Sequence, residues 1–326
     1  MVVKKSWLLV FLLVSVLALP VRAQEKKPRK VRIGMTAPAM YTLPLMVGRS
    51  HGFYRNENLE VELIVMGPGV ATQALVAGDL DFATPFFSAL RAAMTGLPVR
   101  LVGVIMTGTD QVLVVRPEIR KMEELKGKTL GVSALRSTID LSTRLALKKH
   151  GLAPDADVRI VALGGGDTLR LAALQAGKID GALLAMPHNK TAVKAGFREL
   201  VYLKDLIKQP YVALSANTRK MQSDRETIVG TIRGTLGAIR FIQENKGEIV
   251  KVMAKEFAMT DPEVAHLVYE DAIKLYADNA IPSDASMMEG IANGKETQGI
   301  TREVAISEVA DWSFAREAAR DLKGRK

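Results

Sequence analysis

Short apolar runs alternate with helical patterns along the first two thirds of the chain. Residues 31–35 and 59–66 have the pattern of β-strands, and each is followed by apolar residues at helical spacing, within 42–50 and 70–77. Further strands at 80–84 and 99–106 enclose a helix at 87–95. Because strands that alternate with helices form mostly parallel sheets covered by helices, this pattern predicts an α/β lobe.

The same order of elements recurs about 98 residues later. Strands at 128–132, 158–163 and 179–184 alternate with helices at 138–149 and 168–175. Gly34 corresponds to Gly131, the pair at 51–52 to that at 150–151, and the phrase at 74–78 to that at 173–177, with separations of 97, 99 and 99 residues. Matches at nearly one separation predict two lobes of one architecture, not a solenoid of many repeats.

Two more β-type runs, 111–116 and 211–215, flank the second copy. We interpret them as crossing strands that carry the chain out to lobe two and back. Beyond them, 227–245, 246–256 and 262–275 show helical periodicity, and Asp261-Pro262 has the form of a helix cap with a first-turn proline. The sequence thus predicts lobe one from 24–114 plus 212–326, lobe two from 115–211, and a helical C-terminal tail packed mainly on lobe one.

The first 23 residues have the pattern of a secretory signal peptide. Lys4 and Lys5 precede an apolar run over 7–19, and Val21 and Ala23 supply the small residues of a cleavage site after Ala23. An uncleaved anchor is the alternative, but the run is shorter than the roughly 20 residues that span a bilayer. We therefore expect export to the periplasm and removal of 1–23.

Composition removes several classes of function. The chain contains no cysteine, which excludes disulfide scaffolds, cysteine-ligated metals and thiol nucleophiles. The histidines are dispersed, and neither a nucleophile elbow nor a P-loop lysine occurs, so no metal or cofactor is expected. The net charge of +10 is mixed with acids and lacks interleaved aromatics, so nucleic acid is not an expected partner.

Three phrases resemble a family of ABC-importer binding proteins. Residues 73–83 (QALVAGDLDFA) are similar to its "aL-aG–iD-a" signature, 51–54 (HGFY) to its first helix exit, and 124–132 (ELKGKTLGV) to its entry into the second lobe. The resemblance covers about residues 30–215 and is to the nitrate/sulfonate/taurine and thiamine-pyrimidine-precursor group. It implies a type II periplasmic-binding-protein fold, ligand capture between lobes and delivery to a membrane permease, without catalysis.

Ligands of open α/β sheets bind beyond the carboxyl ends of the strands, and two such lobes face to face form a cleft. The residues at the strand exits are therefore the candidate ligand contacts. In lobe one they are Thr36, Ala37, Tyr41, Gly67, Gly69, Thr84, Pro85 and Phe86; in lobe two they are Ser133, Arg136, Ser137, Thr138, Gly165, Met186 and His188.

The loop at 133–138 combines hydroxyls, the Arg136 guanidinium and a helix start, a set that favours an anion. In the alternative, Ser137 or Thr138 only caps the helix and Arg136 faces water. Tyr41 and Phe86 could stack on a ring or pack between lobes, and the glycines at 164–166 could form an anion nest or a turn. Because a guanidinium with hydroxyls suits a carboxylate or sulfonate, we expect a small organic anion.

Three functions remain open. The favoured one is a monomeric solute-binding protein for import. A sensory module that binds a ligand without feeding a transporter is the second. The third is an enzyme like the pyrimidine-precursor synthases, which look similar in fold, but that group carries a cysteine-rich iron motif and this chain has no cysteine.

Overall fold

A computed structural model describes residues 27–135, 137–164 and 166–324. The strands are β1 (Arg29–Met35), β2 (Leu59–Val65), β3 (Phe82–Pro85), β4 (Val99–Met106), β5 (Val112–Val115), β6 (Thr129–Val132), β7 (Arg159–Ala162), β8 (Gly181–Leu184), β9 (Arg198–Tyr202) and β10 (Val212–Asn217). The helices are α1 (Leu43–Ser50), α2 (Pro68–Ala77), α3 (Phe86–Met94), α4 (Thr138–Lys149), α5 (Asp167–Gln175), α6 (His188–Lys194), α7 (Leu203–Leu206), α8 (Thr218–Ser223), α9 (Arg225–Glu244), α10 (Lys246–Glu256), α11 (Pro262–Ala272), α12 (Asp284–Gln298), α13 (Ile306–Val309) and α14 (Ser313–Gly324).

Two five-stranded sheets share one strand order. Sheet one runs β2-β1-β3-β10-β4 and sheet two runs β7-β6-β8-β5-β9. In each sheet the first strand of the lobe lies between the second and third and pairs with both in parallel. The fourth strand is separated from the third by an antiparallel strand. The common order confirms the two α/β lobes that the sequence repeat predicts.

The crossing strands are the antiparallel members of these sheets. β5 pairs with β8 and β9 as the chain enters lobe two, and β10 pairs with β3 and β4 as it returns to lobe one. Every residue of both strands is buried, which explains the apolar sequence of β5 (VLVV) and the apolar start of β10 (VALSAN). The predicted boundary after residue 114 falls inside β5, whose whole length belongs to sheet two.

The aspartate of the repeated phrase makes the same contact in each lobe. The Oδ2 atom of Asp81 accepts a hydrogen bond from the Arg32 N–H at 2.7 Å, and that of Asp180 accepts one from the Thr129 N–H at 2.8 Å. Each carboxylate thereby joins the turn after a helix to the first strand of its lobe. The aspartate in the phrase that carries the family resemblance therefore has a structural role in the fold.

The paired glycines at 34 and 131 also have equivalent surroundings. A Cβ on Gly34 would lie 2.6 Å from Cδ1 of Leu80, and one on Gly131 would lie 2.8 Å from Cδ1 of Ile179. Leu80 and Ile179 immediately precede the two aspartates. Both first strands thus need a residue without a side chain where the apolar residue of the turn packs against them.

Helices cover both faces of each sheet. On sheet one, α1, α9, α10, α11 and α14 contribute to one hydrophobic cluster, and α2, α3 and α12 to another. On sheet two, α4 lies in one cluster and α5 with α6 in the other. The tail therefore packs on lobe one, and α11 also contacts α6 of lobe two.

The apolar pattern of the sequence did not predict α6 and β9. Five of the seven residues of α6 (HNKTAVK) are polar or charged, and β9 begins with Arg198 and Glu199. β9 lies at the edge of sheet two and none of its residues is fully buried. Such an element does not need the apolar run that identifies a central strand.

The predicted signal peptide lies outside the described residues. Among the helices of the described part, none is both long and apolar enough to cross a bilayer.

We predict that Asp81→Ala and Asp180→Ala each lower the free energy of unfolding by about 1–3 kcal/mol, because each leaves a backbone N–H of a first strand without its acceptor. Urea denaturation of the chain from residue 24 measures this change. The exposed neighbour Asp79→Ala is the control and should have little effect. Equal values for Asp79→Ala and Asp81→Ala would contradict the structural role of the repeated aspartate.

Candidate functional site

A cleft of about 1120 Å³ lies between the lobes. Lobe one contributes the loop after β1, and lobe two contributes the N-terminus of α5, the loop after β8 and one face of α6. Both crossings contribute a side chain, Gln111 and Tyr211, and the loop between α10 and α11 closes one wall. A ligand here would contact both lobes and both connections between them.

Two tyrosines form an aromatic corner of the cleft. The rings of Tyr41 and Tyr211 meet edge to face, with centroids 5.8 Å apart and planes at 87°. The Thr36 hydroxyl donates to the Tyr41 hydroxyl at 3.2 Å, and burial raises the pKa of Tyr41. Both phenols are therefore neutral and present a flat apolar surface with a polar tip.

Asp167 anchors the lobe-two wall. It opens α5, its Oδ2 atom accepts a hydrogen bond from the Ala185 N–H at 2.7 Å, and its Oδ1 atom pairs with Arg170. Arg170 is itself buried and donates from Nε to the Leu183 carbonyl at 3.1 Å. A carboxylate has about four acceptor positions, so Asp167 can still accept a hydrogen bond from a ligand.

His188 lies beside this carboxylate at the start of α6. Its Nε2 atom and the Thr168 hydroxyl are 3.0 Å apart, within hydrogen-bonding distance. Burial lowers the pKa of His188, and the neighbouring Asp167 only partly opposes this effect. The ring is therefore neutral at pH 7 and offers one donor or one acceptor to its surroundings.

The tail closes the cleft through ion pairs to α6. Lys194 lies 2.6 Å from Asp261 and 2.7 Å from Glu263 at the start of α11. The loop before it includes Ala258, whose φ of 49° is left-handed. The sequence pattern at 261–262 located the helix cap, and the structure confirms it, because the Asp261 side chain accepts from the N–H groups of Glu263 and Val264. Nothing in that pattern indicated a place at the cleft.

A second bridge between α6 and α11 is buried. The Lys190 side chain is only 7% exposed, and its Nζ atom lies 2.8 Å from Glu199 and 2.5 Å from Asp271. Burial opposes the charge on Lys190, but hydrogen bonds to Asp271 and Glu199 outweigh it and raise its pKa. This charged cluster fixes lobe two against the tail next to the cleft.

Asp110, on the first crossing, is the least compensated charge near the cleft. The residue is 4% exposed, and no hydrogen bond of ordinary geometry reaches either carboxylate oxygen from the described residues. Burial, and secondarily the charge of Asp167, raises the pKa of Asp110 to about 7, and the backbone N–H groups of Asp110 and Met186 only partly oppose this rise. A small cavity of about 20 Å³ adjoins it, with Met186 between the cavity and the cleft.

Four of the predicted contact residues line the cleft: Ala37, Tyr41, Met186 and His188. Thr36 does not line the cleft itself but is hydrogen-bonded to the Tyr41 hydroxyl. Arg136 and Gly165 lie outside the described residues.

The remaining predicted contacts lie elsewhere. Thr84 and Phe86 are buried in lobe one, and Phe86 packs against Gly290 of α12. Gly67 is the N-cap of α2, Gly69 lines a separate groove next to α3, and Pro85 ends β3. Ser137 caps α4 by accepting from the Asp140 N–H, Ser133 donates to Ser137, and Thr138 is exposed. For Thr84, Phe86 and Ser137 the side chain serves the fold, because a strand exit also has to bury its apolar residues and start the next helix.

Residues from the crossings and the tail also line the cleft, and the sequence had not predicted them as contacts. Gln111 and Tyr211 lie at the ends of the runs identified as crossing strands, so an aromatic or amide beside such a run was an available signal. The tail residues at 256–261 carried no such signal. In the part of the chain that the structure describes, no group of three or more histidine or acidic side chains could hold a metal ion.

Comparison with known proteins gives one family and one fold. A family model described as "NMT1-like family" matches residues 24–255. The chain is 24% identical over 263 residues to "Putative binding protein YtlA" of Bacillus subtilis (strain 168), covering 76% of each chain.

Solved structures share the architecture at low sequence identity. The periplasmic aliphatic sulphonate binding protein SsuA from Escherichia coli matches with a TM-score of 0.70 at 19% identity, over 87% of this chain and 92% of that one. The periplasmic nitrate-binding protein NrtA from Synechocystis PCC 6803 matches with a TM-score of 0.66 at 14% identity, over 90% and 89%. The periplasmic-binding-protein fold implied by the sequence motifs is therefore confirmed.

We predict that Asp110→Asn flattens the dependence of stability on pH. A carboxyl whose pKa rises from 3.8 in the unfolded chain to about 7 in the native protein stabilises the fold when protonated, and this stability is lost as the pH rises from about 4 through about 7. Asparagine mimics the protonated form at every pH. The rise of about three pKa units corresponds to about 4 kcal/mol. Thermal melting should therefore show a variant that exceeds the wild type at pH 8 by about 7 °C and nearly matches it at pH 4.

The exposed Asp79→Asn serves as its control. If the melting temperatures of wild type and Asp110→Asn change equally with pH between pH 4 and pH 8, Asp110 is not a buried, uncompensated acid.

We predict that Lys190→Met lowers the free energy of unfolding by about 2–4 kcal/mol, because Glu199 and Asp271 lose their shared cation while Asp271 keeps some contact with water. Urea denaturation measures the loss. Lys194→Met is the matched control on the same helix, and a much smaller effect is expected because its side chain is 42% exposed. A loss for Lys194→Met as large as for Lys190→Met would refute the distinction.

Proposed function

The chain belongs to the NMT1-like family, and from that premise we propose that it is an exported solute-binding protein that captures one small organic molecule between its lobes and delivers it to an ABC importer. One observation carries the proposal: the cleft of about 1120 Å³ is lined by both lobes and both crossings. A molecule held there stabilises the closed arrangement, because it reaches both walls only when the lobes come together.

The volume and lining suit a small molecule. Known ligand pockets span about 300–1,000 Å³ and combine apolar walls with a few polar groups. Here the walls are Met186, Phe257, Met259 and the two tyrosines, and the polar groups are Gln111, Asp167 and His188. The proposal of binding instead of catalysis is supported by the family relative described as a binding protein.

For the ligand, we propose a planar organic molecule with N–H donors, such as an amino-substituted nitrogen heterocycle. Asp167, Gln111 and His188 can accept or share hydrogen bonds with such a ring, and the Tyr41–Tyr211 corner supplies a flat surface. The only cation of the described lining, Lys194, is already paired with Asp261 and Glu263. An anion would also meet the field of Asp167 and Asp110.

A small organic anion, a carboxylate or sulfonate, is the second candidate. It rests on Arg136 in the loop after β6 and on the names of the structural neighbours, which bind an aliphatic sulphonate or nitrate. The N-terminal turn of α5 at Gly166 and Asp167 would favour an anion only if the Asp167 carboxylate pointed away from the cleft. The contacts of this carboxylate with the Ala185 N–H and with Arg170 hold it in place.

A thermal-shift screen tests the function. The chain from residue 24 should be melted with amino-substituted pyrimidines, aromatic and aliphatic carboxylates, sulfonates and nitrate. A ligand at about 100 times its Kd adds about 2.7 kcal/mol to the native state and raises Tm by about 5 °C. We expect the largest shift from the heterocycles. The largest shifts from sulfonates or carboxylates would reject the proposed ligand class in favour of the second candidate.

Variants then place the ligand in the cleft. His188→Ala and Tyr41→Leu should reduce the shift, whereas His266→Ala, an exposed histidine on α11 outside the lining, should leave it unchanged. Delivery is tested by uptake of the labelled hit in a strain that lacks the gene. A thermal shift that is unchanged in both cleft variants would contradict the proposed binding site. Uptake that is undiminished without the gene would contradict the importer role.

A further inference from the structure

The contact between α6 and α11 joins lobe two to the tail on lobe one beside the cleft. α6 contributes to a hydrophobic cluster of sheet two, whereas α11 contributes to one of sheet one, and the two helices pack against each other. One face of α6 and the start of α11 both line the cleft. A rotation of the lobes about the crossings therefore moves these two helices relative to each other.

Lys190 of α6 is held by one carboxylate from each lobe. Glu199 lies on β9 in lobe two, and its carboxylate oxygens accept hydrogen bonds from the Lys190 Nζ atom at 2.8 and 3.0 Å. Asp271 lies on α11, and its Oδ2 atom is 2.5 Å from the same Nζ atom. An ammonium group has three donors, so both carboxylates can bind it at once. The Lys190–Asp271 pair is thus an ion pair between the lobes.

Both charges of this pair keep a partner when the two helices separate. Lys190 retains Glu199, because α6 and β9 belong to the same lobe. Asp271 retains Lys274, whose Nζ atom lies 3.1 Å from its Oδ1 atom on the same side of the cleft. Breaking a buried ion pair is costly mainly because it leaves an uncompensated charge in the protein. Since neither charge is left alone here, the contact can break and form again reversibly.

A more exposed set of ion pairs lies one helical turn further along α6. Lys194 is 2.6 Å from Asp261 and 2.7 Å from Glu263, at the start of α11. Its side chain is 42% exposed, against 7% for Lys190. Salt screens exposed pairs strongly and buried pairs much less. The two sets therefore join the same two helices but differ in their response to ionic strength.

We propose that these ion pairs form an electrostatic latch that holds the two lobes together in the absence of ligand and releases them reversibly. The latch consists of Lys190 and Lys194 of α6 with Asp261, Glu263 and Asp271 of the tail. It maintains a closed population of the ligand-free protein, and its release opens the cleft. The inference rests on the proposed function only in taking the cleft as the ligand site, and its test uses the protein without ligand.

The distance between spin labels on the two lobes tests the latch. The chain has no cysteine, so two introduced cysteines are its only labelling sites. Gln73→Cys and Ala172→Cys place the labels at exposed, equivalent positions of α2 in lobe one and α5 in lobe two. Pulsed electron paramagnetic resonance of the chain from residue 24 then gives the populations of the closed arrangement and of an open one with a longer distance. At low salt we expect the closed arrangement to predominate.

Two variants separate the buried part of the latch from the exposed part. Asp271→Asn should lower the ratio of closed to open populations about tenfold, because it removes the partner of a buried cation. Lys194→Gln should lower the ratio about threefold at low salt. In about 1 M NaCl, where the Debye length is about 3 Å, the effect of Lys194→Gln should disappear and that of Asp271→Asn should persist.

Two further variants are controls. Lys194→Arg keeps the positive charge and should retain the wild-type populations. Lys246→Gln removes an ion pair with Glu270 of α11 that is similarly exposed but lies within the tail, so it should leave the populations unchanged. Circular dichroism of each variant verifies that it is folded.

Three results would overturn the proposal. If neither Asp271→Asn nor Lys194→Gln changes the distance distribution, α6 and α11 form a static contact and not a latch. An equal change in Lys246→Gln would trace the effect to surface charge in general. A wild-type protein that is mostly open at low salt would refute closure by the ion pairs. The thermal-shift screen measures ligand binding instead of the lobe distance, so failure of the latch is distinguishable from failure of the proposed function.

Discussion

The rest of this structure depends on the burial of two crossing strands, β5 and β10, each of which lies between two other strands of its sheet. β5 and β10 are hydrogen-bonded on both edges, and every residue is buried. Because each strand enters its sheet straight from a crossing, the crossings are anchored at one end by a full set of ladder hydrogen bonds. Gln111 and Tyr211, next to these strands, are thereby positioned at the cleft, and the lobes can move relative to each other only about these short connections.

The tail gives the cleft its third wall and supplies the acidic partners of two lysines of lobe two. α11 packs on lobe one yet forms ion pairs with Lys190 and Lys194 of lobe two. The buried pair is sensitive to any change in the distance between α6 and α11, because a charge in a low-dielectric environment needs its partner. Opening the lobes must therefore break or stretch these contacts, so the tail opposes opening on one side of the cleft.

The local electrostatics of the cleft differ from those of the whole chain. The cleft is lined by Asp167 and lies near the buried Asp110, and its lysine is already paired, which is why we propose a ligand with hydrogen-bond donors in preference to an anion. The overall positive charge of the chain does not decide this preference, because a ligand responds to the groups within reach of its site.

Much of the fold could be predicted from the sequence alone. Apolar periodicity and the repeat located both lobes, the crossing strands and the tail helices, since central strands and helix faces must bury apolar residues. Short polar elements at the edge, α6 and β9, left no such signal. The family resemblance is likewise a property of the sequence itself, and the export signal stays a prediction from it.

The site depended on contacts that are distant along the chain. Ala37, Tyr41, Met186 and His188 were found from strand exits, whereas Thr84 and Phe86 turned out to lie in the core. Tertiary structure alone decided that the loop at 256–261 faces the cleft and that Asp110 is buried without an ion-pair partner among the described residues. The physical reason is that burial and electrostatic pairing depend on distances in space, which local periodicity does not encode.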